Sequence, residues 1–221
     1  MLSIISTPIG NVKDISMRAV EALENVEILL CEDTRVTGNL LRILAIKNKP
    51  KLVSFYDEVE EQKIPQVIEW LQENREIGLV TDAGTPLVSD PGWRLVKRCY
   101  EVGLQITALP GPSAIINALV LSGLTTDRFI FLGFLPKKDG SRKALLEKFK
   151  DSSMTCVAYE SPHRLEVLID DLERFWGVEV EIAVCREMTK KFEEIIKGKP
   201  VFVREKIAAS VDRGECVVVW K

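Results

Sequence analysis

Apolar residues are arranged along this chain in two alternating ways. Short runs of about four to six give way to longer stretches in which they return every three or four positions. The runs predict strands and the stretches predict amphipathic helices, an alternation that belongs to an α/β protein with mainly parallel strands. In the first half the strands are predicted at 2–6, 27–31, 51–55, 77–81 and 105–109, and the helices over about 16–26, 34–45, 62–74, 92–102 and 113–121. After Ser122-Gly123-Leu124 the character changes: 129–134 is an apolar, aromatic run, and 136–150 carries six bases against two acids. A boundary there gives an N-terminal α/β domain over 1–123 and a C-terminal α/β domain over 124–221. Strand candidates at 154–159, 180–185, 192–196 and 215–220, with helices over 164–176 and about 201–209, predict a mixed sheet with antiparallel pairing and helices on a face.

Composition narrows the class. With 221 residues, 46% apolar and 29% charged, the chain has room for two cores and is neither disordered nor low-complexity. Its apolar runs fall far short of the roughly 20 residues a membrane-spanning helix needs. The N-terminus has no basic stretch ahead of its apolar residues and meets Pro8 and Gly10 early, so a cytoplasmic protein is expected. Five cysteines form no C-x-x-C pair, and four lie in or beside apolar strand-like runs, which predicts buried, reduced thiols. His163 is the single histidine, and no metal site is predicted.

Charge is uneven along the chain: residues 1–110 hold 12 bases and 16 acids, residues 111–221 hold 18 and 17. A weakly acidic chain is a poor general binder of nucleic acid, so any RNA contact must be local. Two clusters qualify, Lys137, Lys138, Arg142 and Lys143, then Arg186, Lys190 and Lys191; a solvated loop and helix face is the competing reading.

In an open parallel sheet ligands bind beyond the carboxyl ends of the strands. The loops there are rich in glycine and proline: Thr7-Pro8-Ile9-Gly10-Asn11 after the first strand, Thr81 through Gly92 after the fourth, and Pro110-Gly111-Pro112-Ser113-Ala114 after the fifth. Such turns are rigid and turn main-chain N–H and C=O groups toward a ligand. Neither G-x-x-x-x-G-K-[ST] nor G-x-G-x-x-G after the first strand is present, so a phosphate cradle is not the expected grip.

These loops resemble a known family. Ser6 to Asn11, Cys31-Glu32-Asp33-Thr34-Arg35, Thr81 to Gly92, Leu109 to Ala114, Gly133-Phe134-Leu135-Pro136, Tyr159 to Arg164 and Arg186 to Lys190 are similar, in order and over nearly the whole chain, to the small-subunit ribosomal RNA branch of the tetrapyrrole methylase superfamily. The resemblance implies a two-domain α/β methylase with S-adenosylmethionine in a cleft between the domains, a homodimer, and 2′-O-methylation of a cytidine ribose in the decoding region of 16S rRNA. It assigns the donor to Pro8, Gly84, Thr85, Pro86, Val88, Ser113, Ala114, Tyr159, Met188, Gly214 and Glu215. The partner would be small-subunit rRNA or the 30S particle. One motif departs: where relatives carry a histidine-rich segment after strand three, this chain reads Tyr56-Asp57-Glu58-Val59-Glu60.

For the ribose proton the candidate acceptors are Asp33, Asp82 and Glu187, or Lys190 if burial lowers its pKa. Asp33 or Thr34 serves equally as a helix N-cap, and Arg186-Glu187 as a structural ion pair. Arg35, Arg164, Arg186 and Lys191, with Lys137, Lys138 and Arg142 on a basic rim, suit RNA phosphates. Two other functions fit the pattern: C-methylation of a precorrin-type tetrapyrrole, and a non-catalytic RNA-binding or assembly module.

Overall fold

A computed structural model of the chain describes residues 1–209 and 213–221 and divides into two units, 1–113 and 114–221. In the first, β1 (Leu2–Ile5), β2 (Ile28–Cys31), β3 (Lys51–Ser54), β4 (Ile77–Leu79) and β5 (Ile106–Leu109) pair in parallel in the order β3-β2-β4-β1-β5. Each strand of the first half lies where the apolar runs put it. The runs are continuous because both faces are covered. Ile5, Leu29 and Cys31 face α1 (Met17–Asn25) and α2 (Thr34–Ile43), while Leu2, Ile4, Ile28 and Leu30 face α3 (Asp57–Gln72) and α4 (Trp93–Glu101).

That division of helices follows from handedness. The path β1 to β2 to β3 runs one way along the sheet and β3 to β4 to β5 runs back. Right-handed crossovers therefore put α1 and α2 on one face and α3 and α4 on the other. The neighbours β1 and β4 send their connections in opposite directions, which opens a crevice beyond their carboxyl ends.

Helix α3 starts at Asp57 rather than 62 and runs through Pro65. Asp57, Glu58 and Glu60 occupy its first turn, where the helix dipole favours negative charge. The segment after strand three is thus the first turn of this helix, which extends five residues ahead of the predicted start.

The second unit begins with α5 (Ala114–Ser122), which packs on the strands Ile182–Arg186 and Cys216–Trp220. The division between units therefore falls before this helix, not after residue 123. It continues through β6 (Phe129–Phe134), α6 (Asp139–Phe149), β7 (Thr155–Glu160), α7 (Leu165–Trp176), β8 (Ile182–Arg186), β9 (Glu194–Gly198), α8 (Pro200–Ala208) and β10 (Cys216–Trp220). The sheet order is β6-β7-β10-β8-β9, parallel between β6 and β7 and antiparallel elsewhere. Cys156, Ala158, Val184 and Val218 meet Leu146 of α6, Leu168 and Leu172 of α7 and Val203 of α8 on one face. On the other, the Cys185 thiol reaches the Ala118 carbonyl of α5 at 3.9 Å.

The basic stretch 136–150 is mostly the helix α6, an element the charge count alone did not reveal. The five cysteines are free and buried, and burial pushes the Cys185 thiol up to about 12. Among the described residues no helix is long and apolar enough to cross a membrane.

Candidate functional site

At the crevice between β1 and β4 the loops are joined through their main chains. The Thr7 N–H donates to the Gly84 carbonyl at 2.9 Å and the Gly84 N–H returns to the Thr7 carbonyl at 3.1 Å. Short hydroxyl side chains extend the joint. Thr7 Oγ1 donates to the Thr81 carbonyl at 3.1 Å, and Thr85 Oγ1 donates to the Pro112 carbonyl at 2.9 Å. Ser6 Oγ lies 3.2 Å from the Leu109 carbonyl and 3.3 Å from Thr85 Oγ1. The loops after β1, β4 and β5 are therefore one hydrogen-bonded rim, carrying Pro8, Gly84, Thr85, Pro86 and Val88 and ending at Ser113 and Ala114. Thr85 was among the expected donor residues; the Ser6 and Thr7 hydroxyls that help fasten the rim were not, although small hydroxyl residues directly at strand ends are a usable signal.

Glycine is required at two points of this rim. Gly84 has φ +89°, a region that penalises any Cβ. A Cβ on Gly111 would stand 2.7 Å from the Ser6 Cβ, closer than two carbons pack. Leu87 and Ser89 also adopt left-handed φ of 73° and 70°, the local strain that collects where a loop is held for function. The end of the loop is fixed by Glu60, fully buried, whose Oε1 accepts from the N–H groups of Gly92 (3.2 Å), Arg94 (3.2 Å) and Leu95 (3.3 Å), while Oε2 pairs with the Arg94 guanidinium at 2.9 Å. The segment that departs from the histidine-rich pattern thus supplies a cap for α4.

Carboxylates flank the rim. Glu32 Oε2 accepts from the Thr81 hydroxyl at 3.0 Å, and Asp82 Oδ1 accepts from the Asp33 N–H at 3.1 Å. Burial pushes Asp82 above the usual carboxylate range, reinforced by Glu32 and Asp33. Burial pushes Asp90 up to about 6, against a hydrogen bond from Thr81 and with the charges of Glu32, Asp82 and Asp57 adding to the rise. Asp90 was not among the expected residues; it lies in the middle of a loop read for its glycines and prolines. Asp33 is different: it caps α2 by accepting the Arg35 N–H at 2.8 Å and pairs with the Arg35 guanidinium at 2.6 Å. Those bonds hold its carboxyl well below the ordinary range.

The second unit gathers its residues by charge. Lys190 Nζ donates to Glu187 Oε1 and to Glu215 Oε2, both at 2.9 Å, and the Glu215 N–H donates to Glu187 Oε1 at 3.0 Å. Burial would lower the Lys190 pKa, but the two carboxylates outweigh it and raise the value, so Lys190 is not the lowered amine that the sequence reading required. Burial alone would raise the Glu187 carboxyl, but Lys190, the Glu215 N–H and Arg186 outweigh it and lower the value. Gly214, at φ +106°, lets its backbone sit where a Cβ would be 2.7 Å from Glu187 Cγ. Met188 is buried between Glu187 and Thr189, both left-handed at φ 50° and 65°. Tyr159 lies between Phe131 and Phe134 with ring centroids 5.2 and 5.0 Å away.

Three of the arginines expected to meet RNA have partners within the protein. The Arg142 side chain is 6% exposed and bonds Asp171 at 2.7 Å and Asp139 at 2.9 Å. Arg164 donates to the Leu135 and Pro136 carbonyls at 3.2 and 3.0 Å and pairs with Glu160 at 3.4 Å. Arg186 holds Glu194 at 2.9 Å and the Arg213 carbonyl at 3.2 Å. Arg35, Lys137, Lys138 and Lys191 are exposed, and His163 stands in a 3₁₀ turn ahead of α7.

A doubly wound sheet with a main-chain rim at its switch point, followed by a mixed-sheet unit, places the chain in a class, and residues 1–200 match the family model for Tetrapyrrole (Corrin/Porphyrin) Methylases: the chain belongs to that family. Within it, the chain is 44% identical over 201 residues to the ribosomal RNA small subunit methyltransferase I of Vibrio cholerae, covering 91% of this chain and 69% of that protein. The protein of the same name from Haemophilus influenzae is 41% identical over 221 residues, covering 99% and 77%. Among solved structures, a uroporphyrin-III-C-methyltransferase from Thermus thermophilus superposes with TM-score 0.64 at 18% identity over 99% of this chain and 90% of that one. A cobalt precorrin-4 methyltransferase gives 0.68 at 15% over 99% and 93%. These two share the fold.

Proposed function

We propose that this protein transfers a methyl group from S-adenosylmethionine to small-subunit ribosomal RNA, at the 2′-oxygen of a cytidine ribose in the decoding region. The observation that carries the reading is the 41% identity kept over 221 residues with a ribosomal RNA small subunit methyltransferase I. The small-subunit particle or its rRNA as acceptor, and a homodimer as the working form, belong to the same proposal.

The rim of the first unit fits the donor. It offers main-chain groups and small residues to a nucleoside, it lacks a phosphate cradle, and Glu32, Asp82 and Asp90 give it the negative field that a sulfonium cation requires. Pro8, Gly84, Thr85, Pro86, Val88, Ser113 and Ala114 would hold the nucleoside; the same role is proposed for Tyr159, Met188, Gly214 and Glu215 of the second unit. When bound, S-adenosylmethionine supplies an electrophilic methyl carbon whose departure leaves a neutral thioether.

What the protein must add is position and a proton acceptor. Orienting two reactants is worth up to about 7–11 kcal/mol in the best intramolecular cases. Of the acceptors weighed, Asp33 and Glu187 are held acidic by their partners and Lys190 is held protonated, whereas burial leaves Asp82 more basic than an ordinary carboxylate. Asp82 is therefore assigned the 2′-hydroxyl proton. D82N keeps an oxygen for the Asp33 N–H; the lost charge should weaken donor binding modestly, while kcat at saturating donor falls on the order of 10²–10⁴-fold, and an unchanged kcat removes Asp82 from the chemistry.

The reading as a whole is tested by incubating the protein with tritiated donor and small subunits lacking the modification, then mapping the label. Label on a cytidine ribose is expected. Label on a base, or only on a porphyrinoid, overturns it, and stoichiometric donor binding with no transfer to any RNA favours an assembly role.

A further inference from the structure

Strand β6 lies at the edge of the second sheet, and its register with β7 slips by one residue. Phe129, Ile130 and Phe131 face Thr155, Cys156 and Val157, but Phe134 faces Tyr159, so three steps on β6 match two on β7. The extra residue lies at Leu132-Gly133, where Gly133 has φ +64°. A one-residue slip sends a side chain to the opposite face of a sheet. On β7 the even-numbered Cys156 and Ala158 enter the core under α6 and α7, together with Leu132. Strict alternation would have sent Phe134 the same way. The bulge turns it out instead, alongside Phe131 and Tyr159.

The result is a large aromatic side chain that is 68% exposed, braced by a tilted contact with Tyr159 at 5.0 Å and 45°. Tyr159 is itself held edge-on by Phe131 at 5.2 Å and 77°. Three and four residues beyond Phe134 come Lys137 and Lys138, both exposed. Asp139, the acid nearest in sequence, is engaged by Arg142 at 2.9 Å and Lys143 at 2.8 Å. A fixed, outward ring followed closely in the chain by two exposed lysines is a combination with which proteins stack an unpaired base and hold its backbone.

We infer that Phe134, turned outward by the Gly133 bulge and braced by Tyr159, is a stacking platform for an unpaired nucleobase of the rRNA substrate, with Lys137 and Lys138 on the neighbouring phosphates. The inference rests on the rRNA reading above and adds to it a place where the substrate is gripped. It also explains why a bulge interrupts an edge strand at this point, since the interruption costs ladder bonds and exposes apolar area that a core position would bury. The occupant is RNA rather than an apolar protein surface because the chain leaving the ring carries two exposed lysines in succession, which a phosphate chain complements.

The test compares wild type with F134A, F134L and F134W, measuring donor affinity by calorimetry and kcat and KM on small ribosomal particles lacking the modification. Losing one base stack should raise KM for the particle about 5- to 100-fold in F134A. F134L, which keeps bulk but not the flat ring, should lose nearly as much, and F134W should restore wild-type KM. Donor affinity should not change in any of them. A K137A/K138A pair should weaken binding and flatten its salt dependence, by about 1.4 in the log–log slope for two single-strand phosphates. An unchanged KM in F134A and F134L overturns the platform, as does a parallel loss of donor affinity, which would assign the ring to the donor. Should F134A not fold, Leu against Trp at the same position decides the matter. Wild-type protein that labels no rRNA sinks the underlying reading; wild-type protein that labels rRNA while F134A matches it sinks the platform alone.

Discussion

The two units differ in how they join their strand-end loops. In residues 1–113 the loops after β1, β4 and β5 are joined to one another by main-chain bonds and short hydroxyls, such as Thr7 with Gly84 and Thr85 with Pro112, and the Glu60–Arg94 pair closes only the far end of the β4 loop. In residues 114–221 the corresponding loops are held by charged pairs: Lys190 between Glu187 and Glu215, Arg186 on Glu194, Arg164 on Glu160. Main-chain fastening leaves a surface bare of bulk, where a nucleoside can approach the backbone. Charge fastening consumes cations that composition alone would have offered to RNA. A basic residue's role is therefore decided by whether its partner lies within the protein.

The largest effect that could break this comparison is expected at Arg142. Its guanidinium is buried against Asp171, so R142A leaves that buried carboxylate with only Lys143, 4.0 Å away, and should cost toward the lower end of about 3–5 kcal/mol of unfolding free energy in urea titrations. Replacing both partners with apolar residues, as in R142M/D171L, should recover most of that loss. A loss under about 1 kcal/mol in R142A would return Arg142 to the surface and to RNA.

A smaller effect is expected where the first unit is tight. G111A puts a methyl group 2.7 Å from the Ser6 Cβ and must part the loops after β1 and β5. The strain should cost about 1–3 kcal/mol of stability. Donor affinity should fall on the order of 10- to 100-fold, because misplaced contacts lose what rigid ones gave. If calorimetry finds affinity intact while the melting temperature drops, the joint is structural only and the contrast between the units loses its functional half.

The sequence revealed the first kind of fastening and hid the second, for a physical reason. Glycine and proline at Pro8, Gly84, Pro86 and Gly111 are residue types that a turn itself demands, so their identity marks the loop without knowledge of the fold. The parallel strands were legible because burial on both faces makes each one a continuous apolar run. Arg142 and Asp171 are 29 positions apart and meet only when α6 packs on α7, so nothing local distinguishes this arginine from Lys137 or Lys138. Glu60 was hidden in the same way, since its three N–H partners, Gly92 and the first turn of α4, come more than thirty residues later. The bulge at Gly133 left one trace, a glycine inside an aromatic run, whose meaning depends on a neighbouring strand.

Asp90 offers the finest test of the rim. Folded, its carboxyl titrates at about 6, raised by burial and by Glu32, Asp82 and Asp57, against 3.8 for an unhindered group. Between those values the folded protein keeps a proton that the unfolded chain has lost, so its contribution to stability is full below about pH 4 and declines as pH rises toward 6. The full shift would be worth about 3 kcal/mol; water around a half-buried group should reduce it to roughly 1–2 kcal/mol. Asn cannot titrate, so D90N should gain on wild type by that amount between pH 4 and pH 7, read as the difference between their urea-derived unfolding free energies. Taking the difference cancels carboxyls with the opposite sign, such as Asp33, whose lowered value places its own window below this one. Saturating donor should shrink the gap at pH 7, since a bound cation favours the ionised carboxylate. A gap that is flat with pH would mean that Asp90 is ionised in the folded rim throughout, and that the negative field there is stronger than its buried, partly neutral state allows.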